Sequence, residues 1–389
     1  MTRSPPFCEI FNLSHDTETI DLVKKLTDIP AAQWNALAGD HPTVHYDYLN
    51  GLEITGCVGP ETGWSPHHIV LHRHNRLAGA MPLYLKTHSR GEYVFDHAWA
   101  HAFERHGLAY YPKLLSAIPF TPVPGPRLLA HNKTDKLKLL QAAIGLADSN
   151  ALSSLHILFP DKTDLEVMTD AGLMIRKNIQ FHWSNQGYGS MDDFLESMTQ
   201  KNRKKIRQGR RKLAEEDVQF LWIEGSCIDD WTLDFFYRCY HQTYIEHGNL
   251  PYLNPEFFHH LRDTMPDNIM IVLAQQGEKP VASAFNLRNK ERLLGRYWGS
   301  LKFISGLHFE TCYMQGVEYS IAKGLETFEG GAQGEHKLAR GLLPVQTHSA
   351  HWIRDRSYAH AINDFLTREE DAVNEYVDVL GNHSPFRQG

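Results

Sequence analysis

No stretch of about 18 consecutive apolar residues occurs in the chain, so a membrane-spanning helix is not expected. The opening segment, MTRSPPFCEIFNLSHD, lacks the apolar core of a secretory leader. Cysteine is scarce. Cys8, Cys57, Cys227, Cys239 and Cys312 are scattered and form no CxxC pair, which argues against a structural zinc site and for a reducing compartment. A cytoplasmic location is therefore expected. Excess positive charge is also missing. The net charge is −7, so any contact with nucleic acid must come from a local basic patch. What remains is an ordinary globular composition, 42% hydrophobic and 22% charged over 389 residues. That length suffices for two or three domains.

Histidine is abundant, at 24 residues. His67, His68, His72 and His74 crowd one segment, and His259 adjoins His260. None of these, with the carboxylates near them, makes a compact set at ligand spacing. No metal is expected, and isolated histidines serve as hydrogen-bonding groups.

Near the start, Asp28-Ile29-Pro30 before AAQWNAL reads as a helix start, with Asp28 as cap. Next comes a hairpin, Ile69–Leu71 and Met81–Leu85, around a polar turn at His74-Asn75-Arg76. It recurs. IVLHRHNRLAGAMPLYLK from Ile69 aligns without gaps on IVLAQQGEKPVASAFNLR from Ile271. Each copy is followed by a further strand candidate (Tyr93–Trp99; Leu293–Trp298), then by a helix (Thr134–Asp148; His308–Lys323) and a short buried strand (Leu155–Phe159; Leu325–Phe328). This order indicates an internal duplication and a mixed sheet with a parallel part. The proline-rich run Pro119–Pro126 reads as a rigid surface loop.

Two stretches carry chemistry. Between Lys201 and Lys212 lie eight Lys or Arg, on a helix that Ser190 and Asp193 introduce with a cap upstream. Arg203, Arg207 and Arg210 or Arg211 fall on one face. In an acidic chain this face suits phosphates, although a solvated face remains the alternative. The second stretch is Thr327–Trp352, TFEGGAQGEHKLARGLLPVQTHSAHW. Gly330-Gly331 allows a sharp turn or close approach to a ligand. Glu335, His336, Lys337 and Arg340 follow, and then Thr347, His348, Ser349, His351 and Trp352. Such a strand-to-loop passage is a common seat of chemistry, and equally a solvated turn.

The blocks GEYVFD…WA, YYPKL, PFTPV, GRYWG, HFE and GAQGEHK…RG (Gly91–Asp96 with Trp99-Ala100, Tyr110–Leu114, Pro119–Val123, Gly295–Gly299, His308–Glu310, Gly330–Gly341) resemble the FemAB-like family of N-acyltransferases associated with peptidoglycan biosynthesis. GAQGEHK is the most specific, and the basic helix QKNRKKIRQGRRK is similar to that of Fem-type transferases. The resemblance implies a tandem duplicated GNAT-like acyl-CoA N-acyltransferase fold of mixed α/β class, with one unit over 1–182 and the other over 183–389. It implies transfer of an acyl or aminoacyl group to an amine on a small molecule, peptide or cell-wall precursor. The donor would be acyl-CoA or aminoacyl-tRNA, used as co-substrate with no tightly bound cofactor. The Gln/Arg-x-x-Gly-x-Gly/Ala pattern of acyl-CoA-dependent GNAT enzymes is absent, as it is from Fem enzymes that use tRNA.

Such transfer needs a base, oxyanion donors and a hold on the donor's phosphates. Glu335 or His336 is the expected base, with His308 and Glu310 as competitors. Lys337 and Arg340 are the expected oxyanion or acid-group partners. Arg203, Lys204 and Arg207 would grip phosphates. Arg296, Trp298, Gln333 and His351 complete the expected substrate contacts, with core packing the competing role for Trp298 and a helix-start charge that for Glu310. Two other classes stay open: a non-catalytic peptidoglycan- or peptide-recognition module on the same fold, and an RNA-binding protein.

Overall fold

The computed structural model describes residues 18–331 and 334–387; Gln333 and Cys8 lie outside them. Two runs of elements follow the same order. The first comprises the strand Glu18–Val23, the helices Ala31–Ala38 and Tyr46–Ile54, the hairpin His68–Arg73 and Arg76–Met81, the strand Lys113–Ser116, the helix Lys133–Ser149 and the strand Ser154–Leu158. The second comprises Val218–Glu224, the helices Asp230–Glu246 and Pro255–Thr264, the hairpin Ile269–Gln276 and Lys279–Arg288, the strand Arg292–Ser300, a long helix, and the strand Thr327–Glu329. Part of the pairing repeats as well, although the first hairpin lies in a separate four-stranded sheet. In each run the first strand lies antiparallel to the first strand of the hairpin. In each, the strand before the long helix is parallel to the strand after it. The expected duplication is thus present in the topology.

Local chemistry explains the elements. The first hairpin turns on His74 and Asn75, both at left-handed φ of 52° and 60°, the pairing that suits a two-residue connection. The strand Ile269–Gln276 is apolar almost throughout because helices cover both of its faces. Ile269 and Ile271 pack with Phe236 on one side. Met270 and Val272 pack with Val317 on the other. The helix Asp230–Glu246 sits so close to the strand Arg292–Ser300 that a Cβ at Gly299 would stand 1.8 Å from the Cys239 carbonyl oxygen. Gly299→Ala is therefore expected to cost about 1–3 kcal/mol or more through overpacking. A urea midpoint equal to that of the parent would contradict this close approach.

One sheet of eleven strands spans both runs. The strand Met174–Ser184 joins them. It is antiparallel to Thr327–Glu329 on one side and to Leu343–Ile353 on the other, and Leu343–Ile353 in turn pairs with Ser154–Leu158. The division expected at 182/183 falls inside that joining strand.

Three local expectations are corrected. Tyr93–Trp99 is not a strand: a loop leads into the helix His97–Arg105. Tyr93 sits at φ 62°, and Glu92 and Asp96 turn inward to Lys113, so the segment cannot stay extended. Pro119–Pro126 is not a surface loop, since Pro119–Val123 is buried. Proline removes backbone donors, and the remaining carbonyls are taken up by side chains: Phe120 O by Arg296, Pro122 O by Gln180, and Val123 O by Arg127. Asp28 caps nothing; Pro30 precedes the helix Ala31–Ala38, and Asp28 lies in a short 3-10 turn before it.

Candidate active site

The strands Arg292–Ser300 and Thr327–Glu329 run parallel only as far as the pair Leu294 and Glu329. Beyond it they part. Gly295 stands on one lip, where a Cβ would come within 3.2 Å of the Glu329 carbonyl. Gly331 stands on the other, at φ 84°, a conformation open to glycine at no steric cost. A β-bulge sharpens the split. Asn286 pairs with Gly295 and Phe285 with Tyr297, which leaves Arg296 as the extra residue. Its half-buried guanidinium donates to Phe120 O (3.1 Å), and its Nε has no partner among the described residues. The resulting cavity of about 110 Å³ is lined by Asn286, Arg296, Trp298, His308, Cys312 and Tyr313, besides the glycines of the lips.

The long helix opens at Leu307–Phe309, passes through a π-helical turn at Glu310–Met314, and continues as Gln315–Lys323. In an α-helix residues five apart point in different directions. The wider turn brings His308 and Tyr313 to the same cavity, with ring centroids 5.4 Å apart. His308 makes no hydrogen bond among the described residues. Burial first, then the positive neighbours His336, Lys337 and Arg340, lower its pKa to about 4. Its imidazole is neutral at pH 7 and available as a proton acceptor. Its ring lies 4.6 Å from that of Trp298. The Tyr313 hydroxyl lies 3.2 Å from His336 Nε2. Burial raises the Cys312 thiol well above its ordinary pKa, so it is not a thiolate nucleophile.

The residues Glu335–Arg340 form a 3-10 turn that sends its side chains in different directions. Lys337 is only 2% exposed, and its Nζ donates to Gly331 O at 2.7 Å. Burial, more than anything else, lowers its pKa to about 8. Arg340 stacks over Phe309, 3.9 Å from the ring centroid. His336 faces Tyr313 and Phe309. Glu335 points away from this cavity, to the Tyr376 hydroxyl on the helix Arg356–Gly381.

The other expected residues are dispersed. The buried Glu310 carboxylate is held by Arg210 and Gln315, so it has no free role as a base. Arg210 also binds Glu318, which spends one cation of the basic helix Gln200–Glu215 on internal structure. Arg207 pairs with Asp192 at the surface. Arg203 and Lys204 have no carboxylate partner among the described residues. None of the three lines the cavity, although Lys205 and Gly209 of the same helix meet Gly306, Phe309 and Arg340 at its flank. His351 is buried elsewhere, its Nδ1 2.7 Å from His156 Nδ1. Tyr313 and Asn286 were not foreseen as site residues. The signal for Tyr313 was the π turn, which has no sequence signature at this length. Among the described residues no group of three or more His, Cys, Asp or Glu could hold a metal, and no helix is long and apolar enough to cross a membrane.

Several solved structures share this architecture. The C-terminal domain (DUF2156) of an Agrobacterium fabrum protein assigned as a lysylphosphatidylglycerol synthetase superposes with a TM-score of 0.52 at 10% identity, covering 85% of this chain and 94% of that one. FemX does so with a TM-score of 0.52 at 12% identity, covering 86% and 98%. L-PGS from Bacillus licheniformis gives 0.50 at 10% identity, covering 82% and 92%. At such identities the likeness shows the fold alone, the mixed α/β fold that FemX shares. No curated protein sequence matches the chain significantly. The family model FemAB-like, described as peptidoglycan biosynthesis/recognition, matches residues 25–388, and the chain belongs to that family.

Proposed function

We propose that the chain transfers an acyl or aminoacyl group from an activated donor to an amine, at the cavity between the parting strands. One observation carries the reading. Two cations without a carboxylate partner among the described residues, the buried Lys337 and the half-buried Arg296, stand beside a cavity that also holds the neutral imidazole of His308; Arg296 lines it, and Lys337 meets it through the carbonyl of Gly331 on its lip. Other buried cations of the chain meet carboxylates, as Lys113 does, or several backbone carbonyls, as Arg127 does; Lys337 and Arg296 each reach a single carbonyl among the described residues, which leaves them donors for an anion that arrives or develops there.

The amine nitrogen attacks the donor's carbonyl carbon. The carbonyl electron pair moves to oxygen, and the Lys337 ammonium meets the oxyanion. The proton leaving the amine passes to His308, which returns it to the departing ester oxygen or thiolate sulfur as that bond breaks. The product is an amide. Arg296 binds the carboxylate or phosphate of a substrate. The basic helix, whose Lys205 and Gly209 meet Gly306 and Arg340, would hold the phosphates of CoA or of a tRNA end through Arg203, Lys204 and Arg207. The family description favours a cell-wall precursor or its peptide as the amine. Cytoplasmic placement follows from these donors.

The direct test is to incubate the full chain with aminoacyl-tRNA or acyl-CoA and a peptidoglycan precursor, and to look for the new amide by mass spectrometry. Precursor binding without any amide from either donor would overturn transfer in favour of a recognition module. Arg296→Lys keeps the charge but loses the planar fork that reaches both Phe120 O and the cavity. It is expected to lower kcat/KM at least about tenfold, mainly through KM. An unchanged KM would remove Arg296 from substrate binding.

A further inference from the structure

A second cavity, of about 370 Å³, opens where the first run of elements meets the sheet and the C-terminal helix. Its floor is a cross-strand pair. Asn178 and Thr347 are directly opposite on adjacent strands and so rise on the same face. Thr347 is 3% exposed, and its hydroxyl has no hydrogen-bond partner among the described residues. The Asn178 side chain makes no hydrogen bond among the described residues. Buried polar groups are normally satisfied, so this floor is built to meet a polar group from outside the chain.

The walls are aromatic. Tyr93, Phe95 and Phe159 come from the first run, and Tyr93 and Phe159 both hold left-handed φ of 62° and 53°. Such conformations are costly for bulky residues, and here they set the rings around the opening. At the rim stands one carboxylate, Glu335, hydrogen-bonded by Tyr376. No Lys, Arg or His is among the described residues that line the cavity.

A single carboxylate, aromatic faces and an unpartnered amide and hydroxyl together select an organic cation with a polar group behind it. An ammonium over ring faces gains cation–π energy that a neutral group does not. An anion would meet Glu335 with nothing to offset the repulsion. We propose that this cavity binds an organic ammonium group through Glu335 and the aromatic walls, and that Asn178 and Thr347 read an amide or hydroxyl of the same ligand. The site is separate from the transfer cavity and does not depend on transfer being catalysed. Glu335 and Lys337 share one short turn, so the two cavities are neighbours on opposite sides of it.

Two sources share this chemistry: a free alkylamine and an ammonium borne on a peptide. The test is calorimetric titration of the full chain with pentylamine, 1-pentanol and Nα-acetyl-lysine methylamide. Pentylamine is expected to bind at least about tenfold tighter than 1-pentanol. Glu335→Gln should remove that preference. It changes an exposed side chain, so the fold is retained. Tighter binding of the lysine amide, lost in Thr347→Val, supports the site and identifies the peptide-borne source. Equal binding of the two amines supports it and identifies a free amine. Equal binding of pentylamine and 1-pentanol, or the same pentylamine affinity in Glu335→Gln, would overturn the proposal. The readout is binding alone, so failure of the proposed transfer reaction would leave this result untouched.

Discussion

Lys337→Met is expected to slow transfer about 100- to 1000-fold, the loss that follows removal of one positioned oxyanion donor. Methionine keeps much of the side-chain length and suits the buried position between Tyr313 and the Gly331 carbonyl. The change removes a charge that folding has to desolvate, so stability should hold or rise. Burial already lowers the pKa of this ammonium to about 8, which shows that the folded state tolerates its charge at a cost. Activity and stability should therefore move apart. Turnover measured with the donor that supports amide formation, together with a urea melt, checks both. Full activity in Lys337→Met would remove this residue from the chemistry. A collapsed melt would make its role structural.

Lys113→Ala should have the largest effect on stability while leaving the transfer cavity intact. Lys113 is fully buried in the first run, where its Nζ donates to Glu92 at 2.8 Å and to Asp96. Burial alone would lower its pKa; the two carboxylates overcome that and raise it. Lys86 stands beside Glu92 at 3.8 Å and over the Trp64 ring, and the Tyr110 hydroxyl donates to Asp96 at 2.6 Å. Deleting Lys113 leaves one carboxylate too many in an interior that cannot hydrate it. Breaking a buried pair in this way costs about 3–5 kcal/mol. Combining Lys113→Met with Asp96→Asn removes one charge of each sign, so the double variant should lose less than the sum of the singles. Denaturant melts of Lys113→Ala, of Lys113→Met and Asp96→Asn singly, and of their double variant measure this. A loss below about 1 kcal/mol in Lys113→Ala would mean that the cluster is hydrated, contrary to the burial described above.

The duplication was legible because the runs opening at Ile69 and Ile271 share the Ile-Val-Leu start, Ala80 with Ala282 and Leu85 with Leu287, and because the flanking segments follow in the same order. The stretch Thr327–Trp352 stood out by its density of titratable side chains. Its division was not legible. A 3-10 turn sends Glu335 to one cavity and Lys337 to the Gly331 carbonyl on the lip of the other, and a strand places Thr347, Ser349 and His351 on one face by its period of two. One dense stretch of sequence therefore serves three places in the fold. The basic helix was legible as charge, but Arg210 is neutralised by Glu310 and Glu318 from a helix about a hundred residues later. No local pattern carries such a pairing. Glu92 and Asp96 misled for the same reason: an aromatic, alternating segment reads as a strand until the buried lysine that its carboxylates meet is known. Tyr313 required the π turn, and Arg296 the bulge. Both are departures from regular geometry that concentrate where function needs a side chain re-aimed.

The claim at the centre of this account is that a cationic Lys337 acts on the carbonyl at the parting strands. A lysine with pKa about 8 is cationic below that pH and loses its proton as pH rises through it. The rate of transfer should therefore fall on the alkaline side near pH 8. Arginine stays protonated throughout this range. The decisive measurement is the pH profile of kcat/KM for the parent chain and for Lys337→Arg. The account predicts that the alkaline fall moves to clearly higher pH in the arginine variant, whatever activity it retains. An alkaline limb at the same pH in both proteins would contradict it.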